Sequence, residues 1–341
     1  MRAVVYDAPR QFSVRTVATP EPGPGEARLR MVATGVCGTD LHIHDGDFFA
    51  RFPLTPGHEP VGIVDQLGSG VEGLTLGQQV AANGNSGCGH CAFCQRGRSL
   101  LCRDLRALGV TGPGGFAEYM LVPAGQCFSV TDLPLDAAVM VEPTACAMHG
   151  VETLALRPGV EVLLFGAGPT GLVLAQLLAR SGAARVVVAA PTAFKLGLAR
   201  RFGIDETILV DRADHAGSVQ RLRTLASEGF DVVVDATGSA AVSAQCIGLA
   251  RDGGTVLIYG VTRPDERIPI SPYEIYRREL TIKGSFAQVS SFPLAIAALR
   301  SGRVRTDGII THRFPLDRFG EALETVRSDP TCLKAAVVLC L

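Results

Sequence analysis

From Arg2 to about Val36 the chain alternates apolar and polar positions between breaks such as Pro20-Glu21-Pro22-Gly23-Pro24-Gly25. A period of two suits a strand with one buried face, so this stretch predicts short antiparallel strands. Arg28-Leu29-Arg30-Met31-Val32-Ala33 is the clearest of them. It runs into Gly35-Val36-Cys37-Gly38, which places Cys37 at a turn. Residues 45–56 show no period, and their Phe48, Phe49 and Phe52 fit either a core or a pocket wall. Strands are predicted again over Val61 to Leu67 and up to Val122, and a helix starts over Pro134 to Val141.

The pattern changes near residue 147. Val160-Glu161-Val162-Leu163-Leu164-Phe165 is a mostly apolar run of the kind buried on both faces in a parallel sheet. A helix follows from about Thr170 to Ser181, then strands at Val186 to Ala190, Thr207 to Val210, Asp231 to Asp235, Thr255 to Gly260 and Leu280 to Gly284. Strands alternating with helices predict an α/β Rossmann unit, a doubly wound parallel sheet, beside a mostly β domain. The tail reads as a helix over Ser291 to Ser301, a strand over Ile309 to Phe314, a helix over Asp317 to Arg327 and a strand over Leu333 to Leu339. The expected division is 1–146, 147–287, and a return of 288–341 to the first domain.

Composition narrows the function. The length of 341 residues suits two domains, and 47% hydrophobic against 19% charged residues describes a globular chain. With 32 basic and 33 acidic residues, the net charge of -1 gives no footprint for nucleic acid or an anionic membrane. No apolar run is long enough to span a bilayer. The first residues read straight into a strand with no signal peptide, so the expected location is cytoplasmic. Of ten cysteines, four stand at metal spacing, and Cys127, Cys246, Cys332 and Cys340 read as packing residues.

Those four are Cys88, Cys91, Cys94 and Cys102, a C-x2-C-x2-C-x7-C array within about 86–104. Four thiolates on one loop suit a closed tetrahedral zinc. An iron–sulfur cluster or a nucleic-acid-contacting zinc ribbon uses similar spacing, but the balanced charge disfavours the ribbon. Cys37 with Gly57-His58-Glu59, about twenty residues on, supplies two ligands of a second zinc, although His58 alone also reads as a surface histidine. Glu142 precedes Pro143, which suits a helix N1 position, so the carboxylate fits a helix cap as well as a site.

Gly166-Ala167-Gly168-Pro169-Thr170-Gly171 follows a strand and opens a helix, the context in which a GxGxxG loop holds a pyrophosphate. The second strand of an NAD-binding unit commonly ends in Asp or Glu to hold the ribose 2′-hydroxyl. Here Ala190 stands there, with Thr192 and Lys195 beyond, which favours NADP over NAD; the alternative is that Ala190 merely relaxes the preference.

Taken together, Gly35-Val36-Cys37-Gly38-Thr39-Asp40, Gly57-His58-Glu59 with Gly62, Gly68 and Val71, the four-cysteine lobe and the Gly166 to Gly171 loop resemble the zinc-dependent medium-chain dehydrogenase/reductase family, in its polyol (sorbitol-type) branch. The resemblance covers nearly the whole chain. It implies a GroES-like catalytic domain and two zinc ions per chain, one catalytic and one structural. It implies Cys37 and His58 as catalytic ligands with Glu59 or Glu142, Cys146 being a further candidate. It implies Asp40 behind the ligand histidine, and Thr39 and His42 as a proton relay, with the zinc-bound water and its Glu partner an alternative carrier. Phe286 is placed either beside the nicotinamide or in the core. The implied reaction moves a hydride between a small secondary alcohol or polyol and NADP or NAD, in a homodimer or homotetramer. Amino-alcohol oxidation of the threonine-dehydrogenase kind and a non-catalytic NADPH-binding protein are the alternatives.

Overall fold

The structure, a computed structural model, describes residues 1–341 except 212, 289, 340 and 341, and His215 by its backbone alone. The packing expected of Cys340 thus lies outside the described residues. The chain divides into two compact units: residues 1–145, 288–301 and 306–341, and residues 146–287 with 302–305.

The first unit is built on a seven-stranded sheet. Its long strand, Glu26–Val36, alternates buried and half-buried side chains along most of its length, the period-two pattern its sequence carries. Glu59–Leu67 pairs antiparallel on one side of it, and Lys334–Val338 antiparallel on the other. Ile310–Phe314 then adds parallel to Lys334–Val338, so the tail of the chain completes this sheet. One core cluster gathers Tyr6, Phe116 and Phe319, all fully buried, with Phe48 and Phe52 packed against it. Phe49 is 49% exposed, its ring 4.4 Å from that of Phe48 centre to centre.

Two local features depart from the sequence expectation. Cys37 does end the long strand, but it is the N-cap of a helix, Gly38–Asp45, rather than part of a bare turn. Only Asp40 and Ile43 of that helix are buried, so no apolar period announced it. Farther on, a helix starts at Val141, which makes Pro143 its third residue rather than its first. Proline is tolerated there because the first N–H groups of a helix have no intrahelical acceptor.

The second unit is a six-stranded parallel sheet. Its spatial order is Glu206–Leu209, Arg185–Ala190, Glu161–Phe165, Phe230–Asp235, Ala250–Ile258, Thr281–Gly284. In sequence order that is 3-2-1-4-5-6, the doubly wound arrangement. The central strands are almost wholly buried, which is why they read as unbroken apolar runs. Among the described residues no helix is long and apolar enough to cross a membrane.

Candidate active site

The strand end at Val36, the cap at Cys37 and the strand start at Glu59 bring the first set of chemical groups together. Ligand atoms of Cys37, His58 and Glu59 lie within 4.8 Å of one another. Asp40, the third residue of the helix, reaches back so that its Oδ2 accepts the Cys37 N–H at 2.8 Å. Its Oδ1 lies 3.7 Å from His58 Nδ1. One carboxylate therefore braces the cysteine backbone and faces the histidine ring, beyond hydrogen-bond reach of it.

Electrostatics show what this cluster would hold. Burial alone pushes the His58 imidazolium down, but the charges of Asp40, Cys37 and Glu142 outweigh it, and His58 is raised well above 6.5. Burial likewise pushes Asp40 up to about 6, against the opposing pull of His58. Among the described residues, His58 Nδ1 and Asp40 Oδ1 are buried without a hydrogen-bond partner. The site concentrates negative charge and draws in a cation, a proton where no metal is bound. Thiolate, imidazole and carboxylate are zinc donors, so the residues fit that ion.

Glu59 has a partner that the sequence reading missed. Lys334 Nζ lies 2.8 Å from its Oε1 and 2.6 Å from its Oε2, and also donates to the Val36 carbonyl at 3.2 Å. Both side chains are buried, at 3% and 1% exposure. They meet across the long strand at Gly35, which pairs with Glu59 on one side and Ala336 on the other. A Cβ on Gly35 would come 1.8 Å from Glu59 Oε2 and 3.1 Å from Lys334 Cε, so the missing side chain is the space the ion pair occupies. Burial lowers the Lys334 ammonium, but Glu59 and Cys37 more than reverse this and hold it above 10.5.

The remaining relay and metal-ligand candidates fall as follows. Thr39 and His42 are half-buried, three residues apart on Gly38–Asp45, hence on one face. His42 Nδ1 lies 2.7 Å from Asp47 Oδ1, a contact the sequence reading also missed. Glu142 is half-buried in the first turn of Val141–Leu154, outside the three-ligand group although its charge is felt at His58. Cys146, on the same helix, is also half-buried.

The four-cysteine lobe forms a second cluster, with all four sulfurs within 4.8 Å. Cys91 Sγ and Cys102 Sγ are 3.8 Å apart. That is too long for a disulfide and matches the roughly 3.8 Å edge of a tetrahedron with about 2.3 Å zinc–sulfur bonds. Backbone N–H groups of Cys88 and Asp104 donate to Cys102 Sγ, each at 3.3 Å, and that of Cys91 to Cys88 Sγ at 3.4 Å. His90 is exposed and hydrogen-bonded to the Cys88 carbonyl, outside the sulfur cluster.

In the second unit the glycine loop divides its labour. Gly166 has φ +109, a left-handed backbone that favours glycine. A Cβ on Gly171 would lie 2.4 Å from the Gly166 carbonyl, so this glycine allows the helix to pack on the loop. A Cβ on Gly168 would meet nothing within 4 Å, leaving open space at the N-cap of Pro169–Arg180. Pro169 is at N1 and Thr170 follows in the first turn. This is a cradle that a pyrophosphate fits. Ala190, 2% exposed, ends the second strand of the sheet's sequence order. Thr192 is the N-cap of Ala193–Arg201, and its side chain makes no capping bond. Lys195 Nζ sits 5.8 Å from the centre of the Phe194 ring. Phe286 is 42% exposed just past the sixth strand, which removes the core alternative.

Comparison with known proteins covers both units. Residues 23–132 match the family model for the alcohol dehydrogenase GroES-like domain, and 169–301 that for zinc-binding dehydrogenase. The chain is 45% identical to D-arabinitol dehydrogenase 1 of Uromyces fabae, over 99% of this chain and 97% of that one. It is 37% identical to D-altritol 5-dehydrogenase of Agrobacterium fabrum, over 91% of each. A zinc-binding dehydrogenase from Sinorhizobium meliloti, solved bound to NADP, superposes with TM-score 0.89 at 35% identity, covering 99% of this chain and 98% of that one. The chain belongs to the zinc-dependent medium-chain dehydrogenase family, in its polyol-dehydrogenase branch. Its activity is accordingly that of an alcohol or polyol dehydrogenase using zinc and a nicotinamide cofactor.

Proposed function

We propose that the chain oxidises one secondary hydroxyl of an acyclic sugar alcohol of the arabinitol class to the ketose, with NADP preferred. The observation that carries this is the convergence of Cys37, His58 and Glu59 in a chain 45% identical to an arabinitol dehydrogenase. In this reading Cys37 and His58 hold the catalytic zinc, with Glu59 the carboxylate grouped with them and Glu142, whose charge is felt at His58, the alternative ligand or the holder of a water. Cys88, Cys91, Cys94 and Cys102 hold the structural zinc.

When bound, zinc supplies Lewis acidity to the alcohol oxygen and the nicotinamide accepts the hydride. The chain's own residues orient and discharge. Asp40 holds the Cys37 backbone and sets a negative charge beside the His58 ring. Thr39 Oγ1 passes the hydroxyl proton toward His42, one helical turn on. Gly166, Gly168, Pro169, Thr170 and Gly171 would seat the pyrophosphate, and Phe286 would line the nicotinamide side. Ala190 leaves a 2′-phosphate unrepelled, Thr192 donates to it and Lys195 supplies charge. We further propose a cytoplasmic homodimer or homotetramer, which sedimentation of the purified protein tests.

The experiment is a turnover panel on zinc-loaded protein with metal analysis, run with NADP and NAD. D-arabinitol, D-altritol, L-threonine and simple secondary alcohols are the substrates. The expected result is two zinc ions per chain and highest kcat/KM for a pentitol with NADP. Preference for L-threonine would replace the substrate assignment. Zinc-loaded protein that turns over none of the panel would refute the catalytic reading.

A further inference from the structure

Helix Gly38–Asp45 ends in a way that does more than stop it. Gly46 adopts φ +84, ψ +18, and its N–H donates to the Ile43 carbonyl at 3.2 Å. The Asp47 N–H donates to the His42 carbonyl at 3.1 Å. This pair of bonds is the Schellman motif, which sets the side chain of the second residue past the helix against that of a residue in its last turn. In most such ends the two are apolar. Here they are Asp47 and His42, and their side chains meet at 2.7 Å, Nδ1 to Oδ1. A Cβ on Gly46 would meet Pro9 at 2.8 Å, so both backbone angle and packing hold the cap in place.

A carboxylate only accepts hydrogen bonds, so the proton of a neutral His42 sits on Nδ1 and its Nε2 carries the free lone pair. Both side chains are shielded, 22% and 26% exposed, so the contact is not a freely solvated pair. The Phe48 ring, 6.4 Å from the imidazole centre to centre, covers another side.

We propose that Asp47 is a positioning residue for the reaction: it fixes His42 in the Nδ1–H tautomer with Nε2 presented as the proton acceptor. This rests on the reading of Thr39 and His42 as the proton relay. The step balances without a further reactant. Oxidation sends a hydride to NAD(P)+ and releases the hydroxyl proton. That proton forms the Nε2–H bond, the imidazolium stays paired with Asp47, and Nε2 then returns the proton to water. Without Asp47 the ring is free to rotate and to carry its proton on Nε2, where it cannot accept another.

The test compares Asp47→Ala, Asp47→Asn and His42→Asn in the zinc-loaded full chain. Readouts are the single-turnover rate of hydride transfer, substrate KM, the NADPH dissociation constant, and the His42 tautomer from imidazole 15N shifts. Asp47→Asn keeps the side-chain shape, so it stays informative where the alanine variant fails to fold. Its amide is also able to donate to Nδ1, which favours the wrong tautomer. The expected result is a loss of tenfold or more in hydride transfer for each variant. KM and cofactor affinity should stay within about twofold, and the Asp47 variants should lose the Nδ1–H signature. A slow His42→Asn beside Asp47 variants of native rate would overturn the positioning role and leave the relay standing. Native rates in all three would overturn the relay reading itself. Slow Asp47 variants that keep the native tautomer would reduce Asp47 to a structural cap and overturn the proposal.

Discussion

Replacing Lys334 with methionine would leave the Glu59 carboxylate buried and uncompensated. Both oxygens of Glu59 face the Lys334 ammonium within 2.8 Å, and neither side chain is more than 3% exposed. Removing one partner of a buried ion pair costs roughly 3–5 kcal/mol, because the survivor keeps its desolvation penalty and loses its attraction. The affected unit has 195 residues. At about 2–4 °C per kcal/mol for a unit of that size, its midpoint should fall by about 6–20 °C. The assay is thermal unfolding of chelator-treated protein, followed by a probe in the first unit, so that no metal substitutes for the lost charge. Lys334→Met combined with Glu59→Leu should regain most of the loss, since an apolar pair of similar volume often matches a buried ion pair. The pH dependence has a definite sign. Lys334 is raised above 10.5 in the folded protein, so its contribution is fully present below about 10.5 and disappears as pH rises through the folded value. A single-variant loss under about 2 °C would mean that the charge of Glu59 is met elsewhere, and the account of the buried pair would be wrong.

Gly35→Ala probes the same place from the strand: a Cβ 1.8 Å from Glu59 Oε2 must displace the carboxylate, so zinc affinity measured by chelator competition should fall at least tenfold. Unchanged affinity there would show that the carboxylate relocates freely. In the zinc lobe, hydrogen bonds from the Cys94 backbone and neighbouring groups draw Cys91 down to about 6, while burial drives Cys94 up to about 12. After zinc removal at pH 7, mass-spectrometric mapping should find Cys91 alkylated first and Cys127, pushed up to about 12 by burial, among the last; the reverse order would contradict the charge distribution. Ala190→Asp should weaken NADP binding by tenfold or more and leave NAD binding equal or tighter, read from dissociation constants of the two oxidised cofactors. Equal loss of both would place the 2′-phosphate elsewhere.

The parallel sheet was legible because strands buried on both faces must be apolar throughout, and each expected strand overlaps an observed one. The glycine loop was legible because two of its glycines answer local demands, the positive φ of Gly166 and the close packing of Gly171, while Gly168 leaves open space at the helix start. Metal-ligand candidates could be read where spacing is local, as in the cysteine lobe, or where a motif brackets the residue, as at His58. Helix Gly38–Asp45 escaped notice because Gly, Thr, Asp and His are poor helix formers and only two of its residues are buried. Asp47 had a faint local signature, a Gly-Asp pair just past a histidine-bearing segment, visible only once the helix is known. Lys334 had none that points to Glu59. A lysine opening the run Lys334-Ala335-Ala336-Val337-Val338 signals a buried charge in need of a partner, but nothing local says which.

The distance along the chain between those two residues has a consequence for how the protein is made. Glu59 and Lys334 are 275 positions apart, with the whole parallel-sheet unit between them. At about 5–20 residues per second, Glu59 is synthesised roughly 14–55 s before its counter-ion exists. During that interval Cys37 and His58 have both been synthesised while the strand that brings Lys334 to their sheet is missing. A metal captured then would meet an unneutralised carboxylate in a half-built, water-accessible edge. The last strand therefore acts as a clasp in time as well as in space, and a nascent chain stalled short of residue 334 should hold zinc in a looser, more exchangeable way than the finished protein.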